Sequence, residues 1–512
     1  MTALIYEIIW IRPLSLVFGT TIYAVSTIIA SFILGLAVGS WLAGRYTDRL
    51  SNPLRFFAFV QLGIGFYGIL LLPIFATLPG VYLDLFTATF PNQGFFMFIQ
   101  VLISMAMISI PASLMGATLP LMMRTYSEEF TTIGKDVGKL DASNSFGAVF
   151  GTLAAGFLLI PILGIQNSII LTASINVVLG IIILSTKKYL KYQHLIIIII
   201  IIVPFFTFVP SYDPLRLNLG LFVNPEPGQT AKDLDLFLGT QPYEILFFEE
   251  SLYSSILVTE KQFGDTSKQL RINGKIQCST DQRTISGLVN IATIPSEVFE
   301  YNYGKPQNTL NIGLGCGITS QILSQNIETT TIEIDPVVVE ANKFFHEPID
   351  HRLIIDDARN WLLRNNEKFD LITSEPSDPY QNNGMLFTVE FFSLLNSRLS
   401  ENGVVSQWVP LFGMDENDLV IFYNTFHSVF PYVYIYQMEP DNLAQLFLIG
   451  SQKPLNIKEN NLYIASNMDL EDIKSELNTD DKPLIEFSSA RYLYHRDPDW
   501  ASKIDLTDND IL

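Results

Sequence analysis

Several acidic residues and a run of glycines stand where they could bind a nucleotide and move a proton. In Ser374-Glu-Pro-Ser-Asp-Pro379, Glu375 and Asp378 are three residues apart, and the prolines stiffen the loop that carries them. Two carboxylates so placed can take a proton from an amine nucleophile and hold its positive charge. The same spacing also suits a polar loop in which Asp378 caps a turn. Gly313, Gly315 and Gly317 form a GxGxG run. Glycine lets the backbone turn sharply and lets a ligand approach the main chain. The helix expected from Ile318 aims its N-terminal amides at that ligand. Glu333 follows the first glycine by about 20 residues, the usual distance of an acid that binds ribose hydroxyls in nucleotide-binding α/β units. Asp356 and Asp357 follow a further expected strand.

These groups need a scaffold that gathers strand ends, and the surrounding sequence reads as one. From Leu310 onward, short apolar runs alternate with helical stretches: strands at 310–312, 332–334, 352–355, 369–373 and 404–408, with helices between them and two closing strands at 433–437 and 444–449. Such alternation predicts a Rossmann-like, mostly parallel sheet with helices on both faces. Its ligands sit beyond the carboxyl ends of the strands. Upstream, strands at 244–249, 254–261 and 269–272 predict a small antiparallel β unit before this domain, and 284–292 reads as a helix.

The first 211 residues are of another kind. They hold ten Lys and Arg against seven Asp and Glu, a net of +3, whereas the remainder holds 21 against 44, a net of −23 within the total of −20. Apolar stretches at 3–18, 22–42, 56–78, 95–123, 144–163 and 168–183 are mostly long enough to cross a bilayer, and a further run spans 195–209. Gly35-x-x-x-Gly39 and Gly147-x-x-x-Gly151 have the spacing that lets helices approach closely. Glu7 and Arg12 inside the first stretch are expected to pair with each other or to reach the membrane surface, the alternative being a polar site between helices. The divisions are therefore a multi-pass membrane domain at 1–211, a linker and small β domain at 212–305, the Rossmann-like domain at 306–452, and an acidic C-terminal segment at 453–512.

The acidic half argues against a nucleic-acid partner, because phosphates need Lys and Arg. It suits a cationic substrate, and equally a need for solubility. Cys278 and Cys316 cannot form a disulfide framework, and the five scattered histidines with no HExxH or CxxC spacing give no expected metal site. Arg45, Arg49, Arg55, then Arg124, Lys135 and Lys139, then Lys187, Lys188 and Lys191 mark cytoplasmic loops. A crossing by 195–209 would put the acidic domain outside. Fifteen helical residues reach only about 22 Å, short of the roughly 30 Å core, and Pro204 interrupts them. The run is expected to be re-entrant or interfacial and the domain cytoplasmic.

GLGCGITS, TIEIDP, DDARNWL and FDLITSEPSDP, in this order and spacing, resemble the spermidine synthase (polyamine aminopropyltransferase) family, and RINGKIQCSTD resembles its strand and turn before the first helix. Residues 3–49, 139–164 and NTDDKPLIEF resemble the membrane-embedded members, in which a multi-helix region is fused to the synthase domain. Met1 falls inside what resembles the first helix, so residues upstream are expected. The resemblance implies the fold of S-adenosylmethionine-dependent methyltransferases and transfer of an aminopropyl group from decarboxylated S-adenosylmethionine to a putrescine-like amine. It implies Gly313, Gly315 and Gly317 as the cofactor loop and Glu333 on the ribose. It further implies Asp357 and Ala358 at the adenine edge, Glu375 as proton acceptor and Asp378 as substrate anchor. A lipid bilayer is the implied surroundings, and a homodimer is allowed. Three positions depart from the family: Cys316 replaces an aspartate that holds the aminopropyl amine, Ser286 a Tyr or His, and Tyr243 a glutamine. The nucleoside half of the site looks kept and the amine half altered. Methyl transfer from S-adenosylmethionine, and a non-catalytic polyamine or nucleoside transporter or sensor, are the alternatives.

Overall fold

Thr329-Thr-Thr-Ile-Glu333 is β-branched almost throughout, and it forms a strand, as such residues do on a pleated and buried surface. The computed structural model describes residues 1–19, 21–126, 133–186, 213–223, 225, 228–264, 266–346, 348–379, 383–411, 414–439, 442–458, 460–466 and 476–492. The apolar run at 195–209 lies outside them. The chain divides into two compact units. One comprises Met1–Gly19, Tyr23–Gly239 and Glu249–Leu252; the other comprises Thr20–Ile22, Thr240–Phe248 and Tyr253–Leu512.

The first unit is helical: α1 Thr2–Phe18, α2 Ile22–Tyr46, α3 Pro53–Thr89, α4 Gln93–Tyr126, α5 Ile133–Ala154 and α6 Ile160–Thr186. Four helical stretches among the described residues are long and apolar enough to cross a membrane. Large apolar side chains such as Ile33, Trp41, Phe98, Phe150 and Ile162 face outward. The small-residue spacing in α2 has a direct cause. A Cβ on Gly39 would stand 1.8 Å from Ser113 O of α4, so only glycine permits that approach. The apolar stretch at 144–163 runs through a π-turn at Ala155–Leu159, and it is separated from the stretch at 168–183 by Gly164, whose φ of 72° breaks α6. Arg12 reaches beyond its own helix. Its guanidinium donates to the carbonyls of Ser251 and Leu252, at 2.8 and 2.7 Å. The stretch read as a linker contains helices Pro214–Leu217 and Ala231–Gly239.

The second unit holds two sheets. Strands β1 Tyr243–Glu250, β2 Ser255–Lys261, β3 Lys268–Ile272 and β4 Lys275–Ser279 form a four-stranded sheet in that order. Its antiparallel β2–β3–β4 pairing matches the expected small unit, with β4 added. The second sheet comprises β5 Asn308–Ile312, β6 Glu328–Glu333, β7 Arg352–Ile355, β8 Phe369–Ser374, β9 Leu399–Pro410, β10 Tyr432–Glu439, β11 Asn442–Ser451 and β12 Tyr463–Ser466. Its order is β12-β10-β11-β9-β8-β5-β6-β7. From β7 to β9 neighbouring strands are parallel, and β11, β10 and β12 complete it antiparallel. Successive residues of these strands enter different cores. Ile372, Val405, Ile435 and Leu448 pack with Phe391, Phe392 and Phe422, whereas Leu371, Val404, Tyr436 and Phe447 pack with Ile291, Val298 and Phe299. A strand buried on both faces must be apolar at both parities. Helices begin where carboxylates or hydroxyls cap them: Asp281 before Gln282–Tyr303, Asp335 before Pro336–Ala341, Thr388 before Val389–Ser397 and Asp415 before Glu416–His427.

Candidate active site

The chain runs outward from β5 through β6 to β7, then returns to β8 on the other side of β5. This is the topological switch point at which open α/β sheets form a ligand crevice. The turns after β5 and β8 meet there. Glu375 N donates to Ile312 O at 3.0 Å, and Gly313 N donates to Ile332 O at 2.9 Å. Gly313, Gly315 and Gly317 all have positive φ, at 93°, 52° and 76°. At Gly313 a Cβ would also come 2.9 Å from Glu375 O, so the glycine serves both the turn and its approach to the β8 loop.

Glu333 ends β6 beside that turn. Its Oε2 accepts from Leu314 N at 3.0 Å and its Oε1 from Asp335 N at 2.9 Å. The carboxylate is thereby aimed by backbone amides and still has lone pairs for a ligand. Burial raises its pKa above the usual value, against those backbone hydrogen bonds. Asp357 caps the helix Ala358–Arg364, accepting from Asn360 N at 2.7 Å, and Ala358 is buried. Its neighbour Asp356 receives the Arg364 guanidinium.

Glu375 keeps some accessible surface, but its Oε1 is buried and has no hydrogen-bond partner among the described residues. Its Oε2 accepts from Thr319 Oγ1 at 3.1 Å. Burial pushes the carboxyl up to about 7, and the Thr319 contact restrains the rise. A carboxylate poised near neutrality is suited to take a proton. Asp378 is fully buried three residues on. Its Oδ2 is held by the Lys275 ammonium, and its Oδ1 is buried without a partner among the described residues. Taking an ammonium and a carboxylate out of water costs roughly several kcal/mol per ion, offset only by close pairing. Burial lowers the Lys275 pKa and Asp378 opposes that shift. The Lys275 Nζ also lies 5.6 Å from the ring centroid of Trp408.

The three departures have defined surroundings. Cys316 is bridged to Cys278 of β4, with Cα atoms 6.2 Å apart, so the two cysteines that cannot make a framework do make one bridge. Ser286 donates back to Gln282 O at 2.9 Å. The Arg271 guanidinium lies 5.5 Å from the Tyr243 ring centroid. Sequence reasoning missed Lys275, Thr319 and Trp408. Lys275 left one signal, a cation at the start of a short strand in RINGKIQCSTD. The C-terminal NTDDKPLIEF also docks onto the larger sheet's helices. Asp480 takes the Arg359 guanidinium and accepts from Thr388 Oγ1, while Ile485 is fully buried.

The profile of the spermine/spermidine synthase domain matches residues 291–447. A polyamine aminopropyltransferase of Oceanobacillus iheyensis is 25% identical over 431 residues, which cover 80% of this chain and 76% of that protein. One of Corynebacterium efficiens is 26% identical over 427 residues, covering 78% and 73%. Among solved structures, a spermidine synthase in complex with the transition state analogue AdoDATO is 20% identical with a TM-score of 0.35, over 41% of this chain and 74% of that one.

Proposed function

We propose that this transferase, whose residues 291–447 match the spermine/spermidine synthase domain and follow a helical region, moves the aminopropyl group of decarboxylated S-adenosylmethionine to a primary amine. The observation that carries this reading is the buried Glu375 Oε1 at the switch point, without a hydrogen-bond partner among the described residues, on a loop whose backbone touches the glycine turn. The amine nitrogen attacks the aminopropyl carbon attached to the sulfonium. The carbon–sulfur bond breaks with its electron pair going to sulfur, which leaves as methylthioadenosine. The proton shed by the new ammonium passes to Glu375. Glu333 holds the ribose, Gly313, Gly315 and Gly317 let the nucleoside reach the backbone, Asp357 and Ala358 border the adenine, and Asp378 positions the amine.

The helical unit is proposed to lie in a bilayer, supported by its outward apolar side chains and the lengths of its helices. The synthase domain is proposed to face the cytoplasm, where the nucleoside donor is made. The Cys278–Cys316 bridge favours an oxidising compartment; on the cytoplasmic placement the two thiols are reduced in the cell and pair on oxidation. Mass spectrometry of products from purified protein, given each nucleoside donor and a panel of amines, tests the reaction. An aminopropylated amine with methylthioadenosine supports it. A methylated product with S-adenosylhomocysteine, or no product from any pair, overturns it.

A further inference from the structure

The acceptor side of the site carries a cation of its own. Lys275 opens β4 at an inward position, and its ammonium rests on Asp378 Oδ2 with both side chains buried. Trp408 of β9 offers that ammonium an aromatic face. The lysine thus has the surroundings a bound substrate ammonium would want, a buried carboxylate and a π face. Asp378 has its charge matched by Lys275, and its Oδ1 has no hydrogen-bond partner among the described residues. Among the described residues Glu375 Oε1 on the same loop, and the buried Gln277 Nε2 and Gln407 Oε1 on β4 and β9, also have no hydrogen-bond partner. These atoms still want hydrogen bonds, but between Asp378, Lys275 and Glu375 at most one negative charge remains. Cys316, Ser286 and Tyr243 bring no charge of their own at the positions where amine-binding groups are implied, and Tyr243 lies beside the buried Arg271 cation.

We propose that Lys275 determines acceptor specificity by occupying Asp378, so that the site takes a primary amine with a single amino group rather than a diamine or polyamine. This rests on the aminopropyl-transfer reading and narrows its acceptor. The attacking nitrogen enters uncharged and donates to Asp378 Oδ1 and Glu375 Oε1. A second ammonium on the acceptor finds no free carboxylate among these groups, so it adds no affinity.

Calorimetry on the full chain in detergent micelles, with methylthioadenosine present, tests this with butylamine and putrescine, which differ by one amino group. Wild type is expected to bind the two within about threefold of each other. In Lys275→Met the freed Asp378 charge should favour putrescine by about 10-fold or more, the size of a charge-assisted contact. A wild-type preference for putrescine of about 10-fold or more overturns the proposal. So does an unchanged ratio in Lys275→Met, or no binding of either amine. If Lys275→Met does not fold, the wild-type comparison alone decides. The readout is binding, so a protein that shows the expected ratio but forms no aminopropylated product refutes the transfer reaction and not the role of Lys275. A protein that makes the product and prefers putrescine does the reverse.

Discussion

Replacing Glu375 by glutamine removes a titrating group and leaves the shape nearly unchanged. Its carboxyl is raised from 4.5 to about 7, chiefly by burial. A tenfold change in proton affinity is worth about 1.4 kcal/mol, so the protonated form is favoured in the folded chain by up to about 3 kcal/mol. The sign follows from proton counting. Between about pH 4.5 and 7 the folded state binds this proton and the unfolded state does not, so stability falls as pH rises through that window and the loss is complete above it. Glu375→Gln has no such loss. Its stability relative to wild type should therefore increase between pH 5 and pH 8, by about 2–3 kcal/mol at most, because the residue keeps some accessible surface. Denaturant titration of the detergent-solubilised chain at the two pH values, followed by tryptophan fluorescence, measures this without substrate. In catalysis the ionised form is the base, so wild-type kcat/KM should rise with pH and level off above about 7. Glu375→Gln should lose that limb along with about 10²- to 10⁴-fold in turnover. Thr319→Val, which removes the contact that restrains the pKa, should move the limb upward. Parallel stability curves for wild type and Glu375→Gln, or an acidic limb that survives in the variant, would refute the reasoning.

Glu333→Ala should weaken methylthioadenosine binding about 10- to 100-fold, since a charge-assisted contact is worth roughly 1.5–3 kcal/mol; unchanged affinity by calorimetry removes the nucleoside from that strand end. The Cys278–Cys316 bridge spans 38 residues, for which the chain-entropy account gives about 4 kcal/mol. The double serine variant should unfold at lower denaturant than oxidised wild type and like the reduced one, and coincidence of all three curves shows that the bridge contributes nothing. A reporter fused after Asp213 should fluoresce as a cytosol-only fluorescent protein. Alkaline phosphatase activity there, without fluorescence, places the synthase domain outside and counts against the transfer reaction.

The glycine turn and the place of Glu333 beside it were legible because these parts are neighbours along the chain. Strand, glycine turn, helix and strand follow within 26 residues from Leu310 to Asp335, so turn chemistry and alternating apolar runs place Glu333 beside Gly313 without reference to any distant segment. The length and apolar character of the first helices were legible for a similar reason, since hydropathy is read on each helix separately. β9 runs from Leu399 although the apolar signal starts only at Val404, because Ser400, Glu401 and Asn402 at its start are polar and not buried. β4 was hidden because Lys275 and Gln277 are not strand-forming residues by composition. Other features depended on strand order, which pairs segments far apart in sequence. β8 lies against β5, and this brings Glu375 to Gly313 across about 60 residues of chain. Cys278 meets Cys316, and Arg12 reaches the carbonyls of Ser251 and Leu252. Lys275 finds Asp378 103 residues away. No local propensity records such a pairing. A lysine in a short strand looks the same in sequence whether it points to water or into a core. Only the packing of β4 against the β8 loop takes this one out of water, and a buried ammonium must then have a carboxylate beside it.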